Sequence, residues 1–311
     1  MRKRLKITSE KKSIIEGLDE FIIHCKSKNL SEATIKSYKD TVEYTFNKFM
    51  PLDNLIENIN GTTIQKFIAY LKDTGVKDTT INSYLRMLRA VLYYFMKLGW
   101  VAEFKIQLIK ADKEVIETYT DSEIELLLKK PNIKKCPFPE YRNWMVCNFL
   151  LATGCRSKTL LNIQVNDIDF ENSVVIYKHT KGRTQQIVPL SSTISVYLRE
   201  YINYIDKNGY LFPNAYGEKM SNSTLGHNMN DYNRKRGVNK TGLHRWRHTF
   251  AKKYILNGGD IFRLQKILGH SDMTIVRNYV NMFCNDLKDN FDKVNPLENA
   301  INRKSRIRIK R

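Results

Sequence analysis

Apolar residues recur every three or four positions over four stretches of the first hundred residues, which is the spacing of one helix face. These stretches predict helices over 11–28, 31–49, 62–74 and 78–99. Local start signals support two of them: Ser31 is a predicted N-cap with Leu30 before it as the apolar half of a staple, and Thr62 with Gln65 forms a predicted capping box. The pattern therefore predicts a helical bundle.

Charged residues interrupt this pattern between 101 and 118, which predicts a linker. Thr120 and Glu123 form another predicted capping box and begin a new helix. We place the boundary near residue 115 and predict four parts: an N-terminal helical domain (10–102), a linker (103–117), a second domain (118–295) and a basic tail (296–311). Within the tail, a run of bases without an acid follows Asn302: Arg303, Lys304, Arg306, Arg308, Lys310 and Arg311.

The alternation of apolar and polar residues between 167 and 190 predicts three short strands, 167–170, 174–179 and 185–188. The predicted fold class is therefore mainly α with a small antiparallel β-sheet, combining the helical N-terminal domain with a mixed α/β second domain. Lys181 lies in the turn Lys181-Gly182, at the predicted tip of a hairpin. From there a lysine could reach into a groove and donate a proton, although a solvated lysine is the commoner case.

Arg156 and a histidine–arginine pair are further candidates for chemistry. An apolar helix is predicted to stop at Thr153-Gly154, and Arg156 opens the next helix, beside backbone N–H groups that favour an anion. His244 and Arg247 are three residues apart, so they share one helix face that can hold a phosphate and move a proton. Taken alone, Arg156 could be an ordinary surface arginine. His248, next to Arg247, could be a packing residue and is not favoured as a catalytic one.

Two last candidates follow a predicted helix end at Gly269. His270 comes next, and Tyr279 lies nine residues later. Tyr279 is one of 17 tyrosines, so in isolation it indicates nothing, and only its place in the ordered set gives it weight.

The charge of the chain indicates a polyanionic partner. The net charge is +20, and residues 1–118 hold 20 bases and 15 acids whereas residues 119–311 hold 32 and 17. Nucleic acid is favoured over a membrane surface, and no apolar run is long enough to span a bilayer. Five scattered cysteines without a CxxC pair argue against a disulfide framework or a zinc site.

The ordered set resembles the tyrosine recombinase (phage integrase) family, with the compact two-domain layout of the XerC/XerD recombinases and small mobile-element integrases. The His-x-x-Arg-His and Leu-Gly-His…Tyr motifs carry the resemblance, which covers roughly residues 10–295. It implies a core DNA-binding domain followed by a catalytic domain, with Tyr279 as nucleophile. The implied activating residues are Arg156, Lys181, His244, Arg247 and His270. One departure concerns Thr159, which stands where the family commonly has Glu or Asp.

The resemblance also implies the reaction and its partners. Cleavage would proceed through a 3′-phosphotyrosyl intermediate without metal, ATP or another cofactor. Expected partners are double-stranded recombination sites and further copies of the chain, a tetramer on DNA with possible exchange of C-terminal helices. An accessory DNA-bending protein or a partner recombinase is a further possibility, and the expected location is the bacterial cytoplasm, at the nucleoid.

Other functions stay open at this point. A type IB topoisomerase uses similar chemistry, and a catalytically idle DNA-binding protein needs none of it. A metal-dependent nuclease is disfavoured because it would need paired acids. The short stretch before the first predicted helix favours a simple recombinase over the larger integrases with an arm-binding domain. The sequence names neither the DNA site nor a role in integration, excision, transposition or dimer resolution.

Overall fold

A computed structural model describes residues 11–112, 117–178 and 185–269, and it divides the chain into two compact units, 1–114 and 115–311. Lys181, His270, Tyr279 and the basic tail lie outside the described residues. In the part that is described, no helix is both long and apolar enough to cross a membrane.

The first unit is helical, as predicted. It contains α1 (Ile14–Ser27), α2 (Glu32–Asp40), α3 (Gly61–Asp73) and α4 (Asp78–Lys97). The predicted cap at Ser31 is confirmed, because its side chain accepts the Thr34 N–H. The capping box at Thr62 is wrong: the N-cap of α3 lies two residues earlier, at Asn60, which forms the box with Thr63.

The predicted continuous helix over 31–49 changes character midway. After α2 the chain widens into a π-helical segment, Thr41–Phe46, in which the hydrogen bonds span one residue more. The Thr41 hydroxyl donates to the Ser37 carbonyl at 2.8 Å. A buried Phe46 at the end of the segment packs edge-on against Phe67 of α3 at a ring separation of 5.1 Å, so tertiary packing accompanies the wider turn.

The chain beyond α4 stays attached to the first unit over part of the predicted linker. Val101 and Ile106 are buried in the same apolar core as the helices. The Asn82 side chain of α4 donates to the Ile109 carbonyl and accepts the Ile109 N–H, both at 2.9 Å.

The second unit is built around α6 (Phe138–Thr153). Trp144, Phe149 and Leu150 of this helix are fully buried, and α5, α8, α9 and α10 all contact it. The flanking helices are α5 (Asp121–Leu128), α7 (Ser157–Leu160), α8 (Ser192–Tyr201), α9 (Asn222–Lys235), α10 (Leu243–Leu256) and α11 (Ile261–Leu268). The predicted capping box of Thr120 and Glu123 is confirmed at the start of α5.

Three short strands form an antiparallel sheet in sequence order: β1 (Ile168–Asp169), β2 (Val174–Tyr177) and β3 (Gln186–Pro189). Val175 pairs with Ile168 on one side and with Val188 on the other. The first strand is shorter than predicted because residues 165–167 form a 3₁₀ turn, in which buried Asp167 accepts the Gln164 N–H at 2.9 Å. The fold class is as predicted.

Candidate active site

Arg247 of α10 is a buried guanidinium held between the ends of two other helices. Only 2% of the residue is exposed. Its Nη1 donates to the Gly154 carbonyl at 2.8 Å and its Nη2 to the Leu268 carbonyl at 2.6 Å. Gly154 is the C-cap of α6, and Leu268 is the last residue of α11. Carbonyls at helix ends lack intrahelical donors and form the negative pole of the helix, so two helices orient one cation.

Gly154 allows this convergence. It has a left-handed backbone (φ +61°), which costs glycine no steric energy. A Cβ at this position would lie 2.3 Å from Cδ1 of Phe250 and 2.9 Å from Cδ2 of Leu268. The turn that ends α6 therefore packs directly on α10 and α11, and its carbonyl is brought to Arg247.

Arg156 approaches the same place from a different element. It is the N-cap of α7, as its predicted place at a helix start requires. Its half-buried side chain reaches from there to the end of α11, with Nη2 3.4 Å from the Gly269 carbonyl. The two arginines thus meet consecutive carbonyls, those of Leu268 and Gly269, immediately before His270 in the chain.

His244 completes the described cluster. It lies one turn before Arg247 on α10, which confirms that the two residues share a helix. Desolvation of its ring, followed by the positive charges of Arg247 and Arg156, lowers the pKa of His244 below its usual value. A neutral imidazole can accept a proton, and the lowered pKa favours this neutral form.

His248, which the sequence does not favour as catalytic, is buried. Its ring meets that of His244 edge-on at 4.7 Å, and 7% of the residue is exposed. Burial, then electrostatic interaction with the His244 ring and with the charge of Arg247, lower the pKa of His248 to about 4. The His248 ring is therefore neutral at pH 7 and packs against the ring of His244.

The structure thus brings together Arg156, His244 and Arg247, while Lys181, His270 and Tyr279 fall outside the described residues. It also shows contacts that the sequence pattern missed. Gln186, the first residue of β3, donates its amide to two carbonyls at the end of α11, and nothing in the spacing of apolar residues indicates it. Thr159, in place of the family acid, is buried in α7.

No group of three or more His, Cys, Asp or Glu side chains suited to a metal ion occurs in the part of the chain that the structure describes. The charges that converge on the cluster are those of two arginines. Such a cluster suits an anionic group that carries several acceptor oxygens, as a phosphodiester does.

Family comparison decides the class of the protein. The model of the phage integrase family matches residues 117–285, more than half of the chain, and that of the phage integrase SAM-like domain matches residues 13–113. The chain belongs to the phage integrase family. Curated relatives include the tyrosine recombinase XerA of Pyrococcus furiosus, 28% identical over 292 residues (92% of this chain and 96% of that protein). The tyrosine recombinase XerD of Staphylococcus saprophyticus is 27% identical over 282 residues (86% and 94%).

Solved structures of two integrases share the fold. A lambda integrase tetramer bound to a Holliday junction matches with a TM-score of 0.70 at 16% identity, covering 88% of this chain and 78% of that one. The Tn1549 transposon integrase in complex with circular intermediate DNA matches with 0.68 at 23% identity (86% and 94%). The expected family and fold class are confirmed, and with them the expectation of a tyrosine recombinase, an enzyme of DNA strand breakage and rejoining.

Proposed function

We propose that this protein is a site-specific recombinase that cleaves DNA through Tyr279 and rejoins the strands through a 3′-phosphotyrosyl intermediate. The activating residues are Arg156, Lys181, His244, Arg247 and His270. One observation carries the proposal: Arg156 and Arg247, far apart in sequence, meet the carbonyls of residues 268 and 269 beside a histidine of lowered pKa. His270 follows those carbonyls directly in the chain.

The reaction joins two groups of low intrinsic reactivity, a phosphodiester and a tyrosine hydroxyl. A phosphodiester is already anionic, and a tyrosine hydroxyl with a pKa of ~10 is a weak nucleophile at neutral pH. The two guanidiniums bind nonbridging oxygens and offset the charge that gathers in the transition state. Because Arg247 is fixed before DNA arrives, little reorganisation is needed, and a preorganised donor is typically worth ~3–4 kcal/mol.

In the cleavage step the Tyr279 oxygen bonds to phosphorus and the bond from phosphorus to the 5′-oxygen breaks. His244 takes the tyrosine proton, and Lys181 gives a proton to the departing 5′-oxygen. His270 donates a hydrogen bond to the phosphate. The products are a 3′-phosphotyrosyl link and a free 5′-hydroxyl.

Rejoining reverses these transfers with a different strand. The 5′-hydroxyl of a partner strand attacks the link, and Tyr279 leaves and regains its proton. One phosphoester replaces another in each step, so the energy of the bond is conserved and no ATP is needed. The arginines take the part that a metal ion has in many phosphoryl transfers.

The substrate of this reaction is double-stranded DNA, held by copies of the chain. The excess of basic residues supports this, as do relatives whose structures are a dimer bound to a core site and a tetramer bound to a Holliday junction. In this proposal residues 10–102 are the core-binding domain and residues 118–295 the catalytic domain.

Covalent trapping tests the proposal. DNA crosslinked to the protein in its host is recovered and sequenced, and its site is rebuilt with a nick beside the scissile bond, so that a short fragment diffuses away after cleavage. We expect a protein–DNA adduct that survives boiling in detergent, with the nucleotide on the peptide that contains Tyr279. A protein that binds this DNA without forming an adduct would instead be an idle DNA-binding protein.

A further inference from the structure

A hydrogen-bonded bridge joins the strand that follows Lys181 to the end of α11. Gln186 begins β3, five residues after Lys181. Its Nε2 donates to the Lys266 carbonyl at 2.8 Å and to the Ile267 carbonyl at 2.6 Å. Both carbonyls lie in the last turn of α11, where intrahelical donors run out, although the Lys266 carbonyl also accepts the N–H of the C-cap residue Gly269 at 3.1 Å. The side chain therefore caps a helix from a distance of 80 residues in sequence.

Gly269 makes room for this side chain. A Cβ at this position would lie 2.6 Å from Oε1 of Gln186. Gly269 also has a left-handed backbone (φ +60°). The glycine before His270 thus serves both the turn and the close approach of β3.

The end of α11 is held by other residues as well. Arg247 donates to the Leu268 carbonyl and Arg156 to the Gly269 carbonyl. The contact between β3 and α11 depends more on one residue. Among the described residues of these two elements, the two side-chain hydrogen bonds that join them both come from Gln186. Loss of the bridge should therefore displace the strand rather than the helix end.

The opposite strand is anchored too. Lys178 directly follows β2 and forms an ion pair of 2.6 Å with buried Asp167. Tyr177 and Gln186 are the last residues paired between β2 and β3. The chain between these strands, which contains Lys181, thus leaves from two anchored positions.

We infer that Gln186 is a positioning residue for the reaction: it ties β3, the strand that follows Lys181 in the chain, to the end of α11, the helix that precedes His270. This inference rests on the proposed function. Gln186 need not touch DNA, and its amide acts through the strand. Since misplacement by about 1 Å can cost about 100-fold in rate, even a modest shift of β3 is measurable.

A substrate that needs no general acid tests this inference. In DNA with sulfur in place of the scissile 5′-oxygen, the departing thiolate leaves without a proton, so cleavage no longer depends on Lys181. Gln186→Glu keeps the shape of the side chain but removes both N–H donors and sets a negative charge against two carbonyls. Gln185→Glu makes the same charge change on the exposed neighbour, and Gln186→Arg keeps N–H donors at the bridge.

We expect Gln186→Glu to cleave normal DNA about 10- to 100-fold more slowly than wild type and to cleave sulfur-substituted DNA at nearly the wild-type rate. Lys181→Ala should show the same contrast. Gln185→Glu should behave as wild type, and Gln186→Arg should recover most of the normal rate. Equal loss on both substrates, or no loss on either, overturns the inference.

A second readout separates this inference from the proposed function. If wild type cleaves neither substrate, the proposed function fails and the role in catalysis fails with it. Hydrogen exchange then still decides whether the bridge positions the strand. The backbone amides of residues 186–188 and of Leu190 should exchange faster in Gln186→Glu than in Gln185→Glu, and equal exchange in the two variants overturns the bridge itself.

Discussion

Arg247 combines a permanent charge with almost complete burial. Desolvating a guanidinium is costly unless hydrogen bonds replace the lost water. Here the carbonyls of Gly154 and Leu268 are such partners, and both belong to helix ends whose dipoles favour a cation. Burial fixes the side chain in one orientation. A donor that stabilises charge in a transition state needs such preorganisation.

His244 gives a prediction on pH. Its pKa is lowered by desolvation, Arg247 and Arg156, and a base must be neutral to accept a proton. The fraction of neutral His244 rises as pH increases through the lowered pKa and is complete above it. Single-turnover cleavage should therefore rise with pH along an acidic limb whose midpoint lies below the ordinary histidine value of about 6.5.

Arg156→Gln tests whether the neighbouring charges set the midpoint of this acidic limb. It removes one of the two charges that hold the pKa down, so the midpoint should move upwards even though cleavage itself slows. The His244 ring can be titrated by NMR in both proteins as a readout that needs no activity. A wild-type midpoint at or above 6.5, or no movement in the variant, would contradict the role given to these charges.

At the scale of single residues, the sequence predicts what is local. The spacing of His244 and Arg247 predicts a shared helix, and the structure has it. The partners of Arg247 are not predictable in this way, because Gly154 lies 93 residues away and contributes a backbone carbonyl that any residue has. Gln186 is missed for the same reason, since its partners are also backbone atoms of a distant helix.

The helix ends are the elements on which the site depends, and Gly154→Ala tests this. The left-handed backbone costs an alanine about 1–2 kcal/mol, and the clash with Phe250 adds about 1–3 kcal/mol. We expect the second unit to lose about 2–5 kcal/mol of unfolding free energy. Urea denaturation in a Trp100→Phe background measures it, because the two remaining tryptophans, Trp144 and Trp246, both report on the second unit.

Gly237→Ala is the control for that experiment. Gly237 also follows a helix with a positive φ (+75°), but a Cβ there meets no described atom within 4 Å. It should cost only the backbone strain, about 1–2 kcal/mol. Equal losses in the two variants would mean that the contact of Gly154 with Phe250 and Leu268 contributes nothing.

Elements defined by their own residues were predicted well, and those shaped by packing were not. Ser31 and Thr120 mark helix starts because a cap acts within four residues. The change to a π-helical segment at Thr41 and the shortening of the first strand beside Asp167 accompany contacts with other elements. Periodicity carries no information about such contacts.

The whole molecule is distinguished by its charge. A net charge of +20, concentrated in residues 119–311, predicts that many phosphates are neutralised when two domains hold a duplex. Each neutralised phosphate adds about 0.9 to the slope of log affinity against log salt concentration. DNA affinity should therefore fall steeply when it is measured at about six salt concentrations between about 50 and about 300 mM. A slope shallower than about −3 would contradict binding by both domains.

The most direct test of the account is Tyr279→Phe, which removes one oxygen and keeps the ring. Folding should change by at most the ~1 kcal/mol of a lost hydrogen bond, and binding to the native site should persist because the arginines remain. Tyr254→Phe is the matched control, since Tyr254 lies on the same helix as His244 and packs against Phe250. On the nicked substrate, we predict a detergent-stable adduct with wild type and Tyr254→Phe, and none with Tyr279→Phe. An adduct formed by Tyr279→Phe would place the nucleophile elsewhere and contradict the account.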